Sequence, residues 1–136
     1  MKKTLQKLTV ILILLISFNF SYSQDQSRYL VIDDLNAFFV EKNDEIICDF
    51  QLFNIKDEES SKPSYVSITE LKNVIDFSIE SKSSTNENQR KCRLVMKTID
   101  YEETFRLVLY KLEVKYIIYK GEINSADNFY LIINQN

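Results

Sequence analysis

The chain has 136 residues with 17 basic and 20 acidic side chains, and it contains no histidine, one glycine and one proline. The lack of histidine excludes Ser-His and Cys-His nucleophilic catalysis and the usual zinc, copper and non-haem iron sites. A single glycine excludes the glycine-rich loops that hold phosphates, because those need two or more glycines at fixed spacing.

Residues 1–23 have the three zones of a cleavable export signal. A positively charged start precedes an apolar run at residues 8–16, and the small residues Ser21 and Ser23 occupy the positions that a signal peptidase requires. The apolar run is about half the roughly 20 residues that a membrane-spanning helix needs. We therefore predict a signal peptide at 1–23 and an exported mature chain, 24–136, in the periplasm or outside the cell.

The size and charge of the mature chain limit what it can bind. Its 113 residues are enough for one domain. The signal removes Lys2, Lys3 and Lys7, which leaves 14 basic against 20 acidic side chains and a net charge of −6. An acidic protein is unsuited to nucleic acid, whose phosphates are bound mainly by basic side chains. We therefore expect no nucleic-acid partner and, after signal cleavage, no membrane association.

In the first half of the mature chain, residues 28–40 are rich in β-forming residues and predict one or two strands, followed by a polar turn at 41–45. Residues 46–55 alternate between apolar and polar side chains, which is typical of a half-buried strand. The apolar set of this strand is Ile46, Cys48, Phe50 and Leu52. Residues 56–64 are charged and predict a solvated loop.

The middle of the chain predicts a helix and then a strand. Apolar residues recur at helical spacing over residues 68–80, after a Ser67–Glu70 capping box. These apolar residues are Ile68, Leu71, Val74, Ile75 and Ile79. Residues 81–89 have no large apolar side chain, and residues 91–99 return to a period of two.

The last third predicts a second helix from Asp100, a strand at 115–120 and a final strand at 129–133. The strand at 115–120 has no polar face, which indicates burial on both sides. The whole pattern predicts a single small α+β domain, in which a mixed sheet of four to six strands has two helices packed on one face.

The two cysteines, Cys48 and Cys92, both lie on the apolar faces of predicted strands. Exported proteins fold under oxidising conditions in which such cysteines usually pair. We therefore predict a Cys48–Cys92 disulfide between neighbouring strands; the alternative is two buried thiols that pack as small apolar groups.

No combination of residues predicts catalysis, a metal site or a cofactor. The acidic clusters Asp33-Asp34 and 57–59 lack the alternating spacing of calcium-binding loops. We expect a non-catalytic protein that binds another protein, of the inhibitor, immunity or envelope-assembly type. Two alternatives stay open: a small-ligand carrier with an internal cavity, and a hydrolase that uses carboxylates alone.

The binding surface is predicted on the sheet face opposite the helices. That face should carry the second alternation sets of the two central strands, which mix apolar and charged groups as recognition surfaces do. The candidate binding residues are Ile47, Phe53, Arg93, Val95 and Lys97. The alternative is that residues 28–40 or a second copy of the chain cover this face.

Overall fold

A computed structural model describes residues 27–55, 66–80 and 88–134. The predicted signal at 1–23 and the predicted loop at 56–64 lie outside the described residues. So does nearly all of the polar segment at 81–89.

Strands are the most abundant regular structure of the described chain. In chain order the elements are β1 (Arg28–Ile32), α1 (Leu35–Phe38), β2 (Val40–Lys42), β3 (Glu45–Phe53), a helical turn at residues 66–69, β4 (Val74–Ile79), β5 (Gln89–Lys97), α2 (Tyr101–Lys111), β6 (Val114–Tyr119), β7 (Glu122–Ser125), a 3₁₀ turn (Ala126–Asn128) and α3 (Phe129–Ile133).

All seven strands of the described residues belong to one mixed sheet in the order β4-β5-β3-β1-β6-β7, with β2 beside the first part of β3. Neighbouring strands are antiparallel except β1 and β6, which are parallel. Strands β5 and β6 therefore run in the same direction, and α2 connects them across β3 and β1. The predicted α+β domain with a mixed sheet is confirmed, although the described sheet has seven strands where four to six were predicted.

The core lies between this sheet and the helices. The alternate residues predicted to be apolar and inward on β3 are all buried, and so are Leu94 and Met96 of β5. Helix α2 buries Phe105 and Leu109, with Leu109 only 1% exposed, whereas Tyr110 on its far side is 72% exposed. The rings of Phe38, Phe50, Phe105 and Phe129 form a cluster with centroid distances of 5.1–6.1 Å.

The helix predicted at residues 68–80 is wrong for most of its length. Only a helical turn at 66–69 forms, and residues 74–79 are strand β4. Val74 and Phe77 are buried while Ile75 is exposed, because a bulge between Val74 and Asp76 shifts the alternation by one residue. The free edge of β5 supplies hydrogen-bonding partners for this β-branched segment, and that long-range contact outweighs the local helical periodicity.

The strand predicted at 129–133 is also wrong, because this segment is helix α3. Phe129 and Ile132, three residues apart, are buried against the core, and Tyr130 and Leu131 are exposed. That spacing belongs to a helix, not to a strand. The last strand of the sheet is instead β7, which forms a hairpin with β6 through Lys120 and Gly121, both at positive φ.

Candidate interaction face

One face of the sheet carries no described helix. Each described helix contributes side chains to the core on the other side: Phe38 from α1, Ile68 from the turn at 66–69, Phe105 from α2 and Phe129 from α3. The second alternation set of every strand therefore points away from the helices, and we call this surface the open face. Residues 28–40 do not cover it, since β1 and β2 are strands of the sheet and α1 packs against the core.

One half of the open face lies on β3 and β5 and mixes apolar with charged groups; we call it the mixed half. Ile47 lies opposite Val95, Asp49 opposite Arg93, and Glu45 opposite Lys97. The Arg93 guanidinium donates two hydrogen bonds to the Asp49 carboxylate, at 3.0 and 3.1 Å. Opposite charges thus face each other across the two strands and compensate within the protein.

The other half lies on β1, β6, β7 and the last residue of β3, and it is apolar. Tyr29 stacks on Phe53 with a centroid distance of 4.8 Å and an interplanar angle of 6°. The strand pairing then places Tyr116 beside Tyr29, Ile118 beside Val31, and Ile123 beside Ile118. We call this surface the apolar half; it consists of Tyr29, Val31, Phe53, Tyr116, Ile118 and Ile123.

The apolar half is accessible along its outer side. Ile123 of the edge strand β7 is 71% exposed, and Val31 is 39% exposed. Tyr116 and Ile118 are half-buried, so β6 is fully covered on its helix side only. The expectation that this strand is buried on both sides is therefore wrong. Because β6 has no polar face, the side chains of Tyr116 and Ile118 remain as apolar groups on the open face.

The five candidate binding residues do share the open face, but they do not form one patch. Ile47, Arg93 and Val95 are neighbours in the mixed half. Phe53 pairs with Gln89 and Lys97 with Glu45, at opposite ends of two nine-residue strands. At about 3.4 Å per residue, these two side chains are roughly 27 Å apart. Phe53 belongs with the apolar half, and Lys97 with the far end of the mixed half.

Sequence reasoning missed five residues of the apolar half: Tyr29, Val31, Tyr116, Ile118 and Ile123. The signal that could have found them is the strand at 115–120. An apolar strand face must be covered by another layer or stay exposed, and only two helices were predicted, both for the opposite face.

The predicted Cys48–Cys92 disulfide is absent, and both cysteines are buried free thiols. They do lie on the neighbouring strands β3 and β5, as predicted. However, Cys48 pairs with Leu94 and Cys92 with Phe50, so the cysteines are diagonal neighbours. Diagonal Cα atoms are typically about 7–8 Å apart, beyond the usual span of about 4.4–6.8 Å in a disulfide.

Burial sets the chemistry of these thiols. It raises the pKa of Cys92 to about 12, with a smaller contribution from the nearby Glu80 carboxylate, and it raises the pKa of Cys48 further. A protonated, buried thiol is a poor nucleophile and a poor metal ligand. Among the described residues, no group of three or more histidine, cysteine or acidic side chains is placed to hold a metal ion.

Comparisons with known proteins find no match: no protein-family profile, no curated protein and no solved structure matches this chain. Within the part of the chain that the structure describes, no helix is both long and apolar enough to cross a membrane.

Proposed function

We propose that this is an exported, non-catalytic protein that binds another protein through its open face. The observation that carries the proposal is the apolar half, where six apolar or aromatic side chains from four strands share one surface. Burial of such a surface supplies about 25 cal/mol per Å² of apolar area, and aromatic residues are enriched where protein interfaces concentrate their affinity.

The mixed half contributes more to discrimination between partners than to the affinity for any one partner. Its ion pair of Arg93 with Asp49 is solvent-exposed, with side-chain exposures of 52% and 62%. Exposed pairs of this kind stabilise by about 0.2–1 kcal/mol and are screened by salt. A partner with mismatched charges would have to break these cross-strand pairs, so the mixed half disfavours wrong partners.

The alternatives have less support. A carrier with an internal cavity requires space between the sheet and the helices, and that space holds the phenylalanine cluster around Phe105. A carboxylate-dependent hydrolase requires an acid with a raised pKa. The Glu103 carboxyl has a lowered pKa, because it accepts hydrogen bonds from Arg106.

The proposal is tested with two matched substitutions of exposed isoleucines. Ile123→Asp places a charge in the apolar half, and Ile99→Asp places the same charge outside it, at a position that is 62% exposed. Each purified variant and the wild type are used to capture partners from the envelope and medium of the producing cell, with quantitative mass spectrometry. Sedimentation of the purified protein measures self-association separately.

We expect the wild type and Ile99→Asp to recover the same partner, and Ile123→Asp to recover at least about tenfold less, since a buried unpaired charge costs more than 1.4 kcal/mol. Equal recovery by folded Ile123→Asp would show that the apolar half is not the binding surface. A complex that forms only between copies of this chain would contradict a partner of another kind.

A further inference from the structure

A second potential binding site lies at the end of the sheet, beside the open face. It is a cleft of about 1030 Å³, open to solvent on one side, between the C-terminal turn of α2, the first residues of β1 and β6, and the residue after β3. Its volume is slightly above the range of about 300–1,000 Å³ that is usual for small-molecule sites. Side chains that line it include Arg28, Asn54, Tyr110, Lys111, Lys115 and Tyr116.

A β-bulge places Lys115 in the cleft. Arg28 of β1 pairs with Val114 and the next residue, Tyr29, pairs with Tyr116, so Lys115 is an extra residue without a partner on β1. Bulges redirect a side chain out of the regular alternation and occur frequently beside functional sites. The bulge brings Lys115 to the same cleft as Lys111, the last residue of α2.

The charges around the cleft differ in how far they are neutralised. The Arg28 guanidinium donates to the Leu112 carbonyl at 2.9 Å and lies 3.9 Å from the Glu113 carboxylate. Arg106 donates two hydrogen bonds to Glu103, at 2.6 and 2.9 Å.

Neither Lys111 nor Lys115 forms an ion pair with any carboxylate of the described residues. Asp127 also lines the cleft, on the side of Arg106, and its charge adds to the effect of Glu103 in raising the pKa of that guanidinium. Two lysines are thus left to attract an anion.

The walls beside these lysines are apolar or aromatic. Leu109, Val114 and Ala126 contribute buried side chains, and Tyr110 and Tyr116 contribute rings. The geometry points to a site for a small organic anion, in which Lys111 and Lys115 bind a carboxylate or phosphate group and the tyrosine rings contact an apolar body. Charge-assisted hydrogen bonds of this kind are among the stronger ones available to proteins.

The test is a titration of the ¹⁵N-labelled purified protein, followed by amide chemical shifts at constant ionic strength. The probes are benzoate, phenyl phosphate, inorganic phosphate and the neutral analogue benzamide. The variant Lys111→Gln/Lys115→Gln is compared with Lys42→Gln/Lys72→Gln, which removes two exposed lysines that do not line the cleft. Neither variant alters the apolar half, so this result is independent of the partner-capture experiment.

We expect benzoate or phenyl phosphate to shift the amides that line the cleft and to bind at least about tenfold more weakly to the Lys111/Lys115 variant, with the control within about twofold of wild type. Whichever of benzoate and phenyl phosphate binds more tightly shows whether the site prefers a carboxylate or a phosphate group. The assignment would be overturned if both variants bound the anions equally weakly, or if no amide of the cleft shifted at ligand concentrations up to about 10 mM. It would also be overturned if benzamide bound as tightly as benzoate, or if inorganic phosphate bound as tightly as phenyl phosphate.

Discussion

At the scale of single residues, the two thiols show how register decides chemistry. Cys48 and Cys92 lie on neighbouring strands and on the same face of the sheet, as a disulfide requires. They are not directly opposite each other, because Cys48 pairs with Leu94, two residues from Cys92. The pair therefore contributes to the core as apolar volume, and both thiols are less than 4% exposed.

Thiol labelling of the native protein at pH 8 should modify neither cysteine within hours, because both are buried and the pKa of Cys92 is about 12. In denaturant the same reagent should modify two thiols per chain, as counted by mass spectrometry. A count of zero in denaturant, with two appearing only after reduction, would show that the disulfide forms after all.

The same pKa shift predicts a loss of stability in alkali. The ordinary thiol pKa of 9.0 is raised in the folded state, so the folded protein binds the Cys92 proton more tightly than the unfolded chain does. This contribution is fully present below pH 9 and is lost as the pH rises from there toward 12.

At the scale of elements, the segment at residues 74–79 illustrates competition between two periodicities. Its apolar residues fit a helix that continues from Ile68, yet it pairs with β5 as an edge strand. The two structures bury different side chains. A helix would bury Ile75 and leave Phe77 outside, whereas the strand buries Phe77 completely and leaves Ile75 46% exposed.

Phe77→Ala should therefore lower the free energy of unfolding by about 3–5 kcal/mol, as expected for a fully buried phenylalanine. Ile75→Ala, two residues away, should change it by about 0.5 kcal/mol or less, since the side chain is largely in solvent. Urea denaturation followed by circular dichroism measures both. The reverse order of effects would indicate the helical arrangement.

At the scale of the whole molecule, the sheet separates a packed side from an open side. All described helices lie on one side, and the apolar and mixed halves divide the other. The core is therefore built on one side of the sheet, and the open face is the side on which the proposed partner would bind.

The mature protein should begin at Gln24 or within a residue or two of it, because Ser21 and Ser23 fit the cleavage rule. Intact-mass measurement of the protein recovered from the envelope or the medium decides this. Recovery of the chain with Met1 in the membrane fraction would instead indicate an uncleaved anchor.

The sequence by itself determined the elements whose periodicity is strong over a whole segment. The buried faces of β3 and β5 follow from the period of two in a strand. The burial of Leu109 and the exposure of Tyr110 on α2 follow from the helical period of 3.6, because a side chain's direction within a regular element depends on its position in that element. The mixed half of the open face follows for the same reason.

Only the tertiary structure decided which strands become neighbours and in which register. Pairing with β5 makes residues 74–79 a strand, and packing against Phe105 makes residues 129–133 the helix α3. The register of β3 and β5 places Cys48 opposite Leu94. The tertiary structure also assembles the apolar half from strands that are distant in sequence. Hydrogen bonding between strands and burial against the core depend on contacts between remote segments, which no local pattern contains.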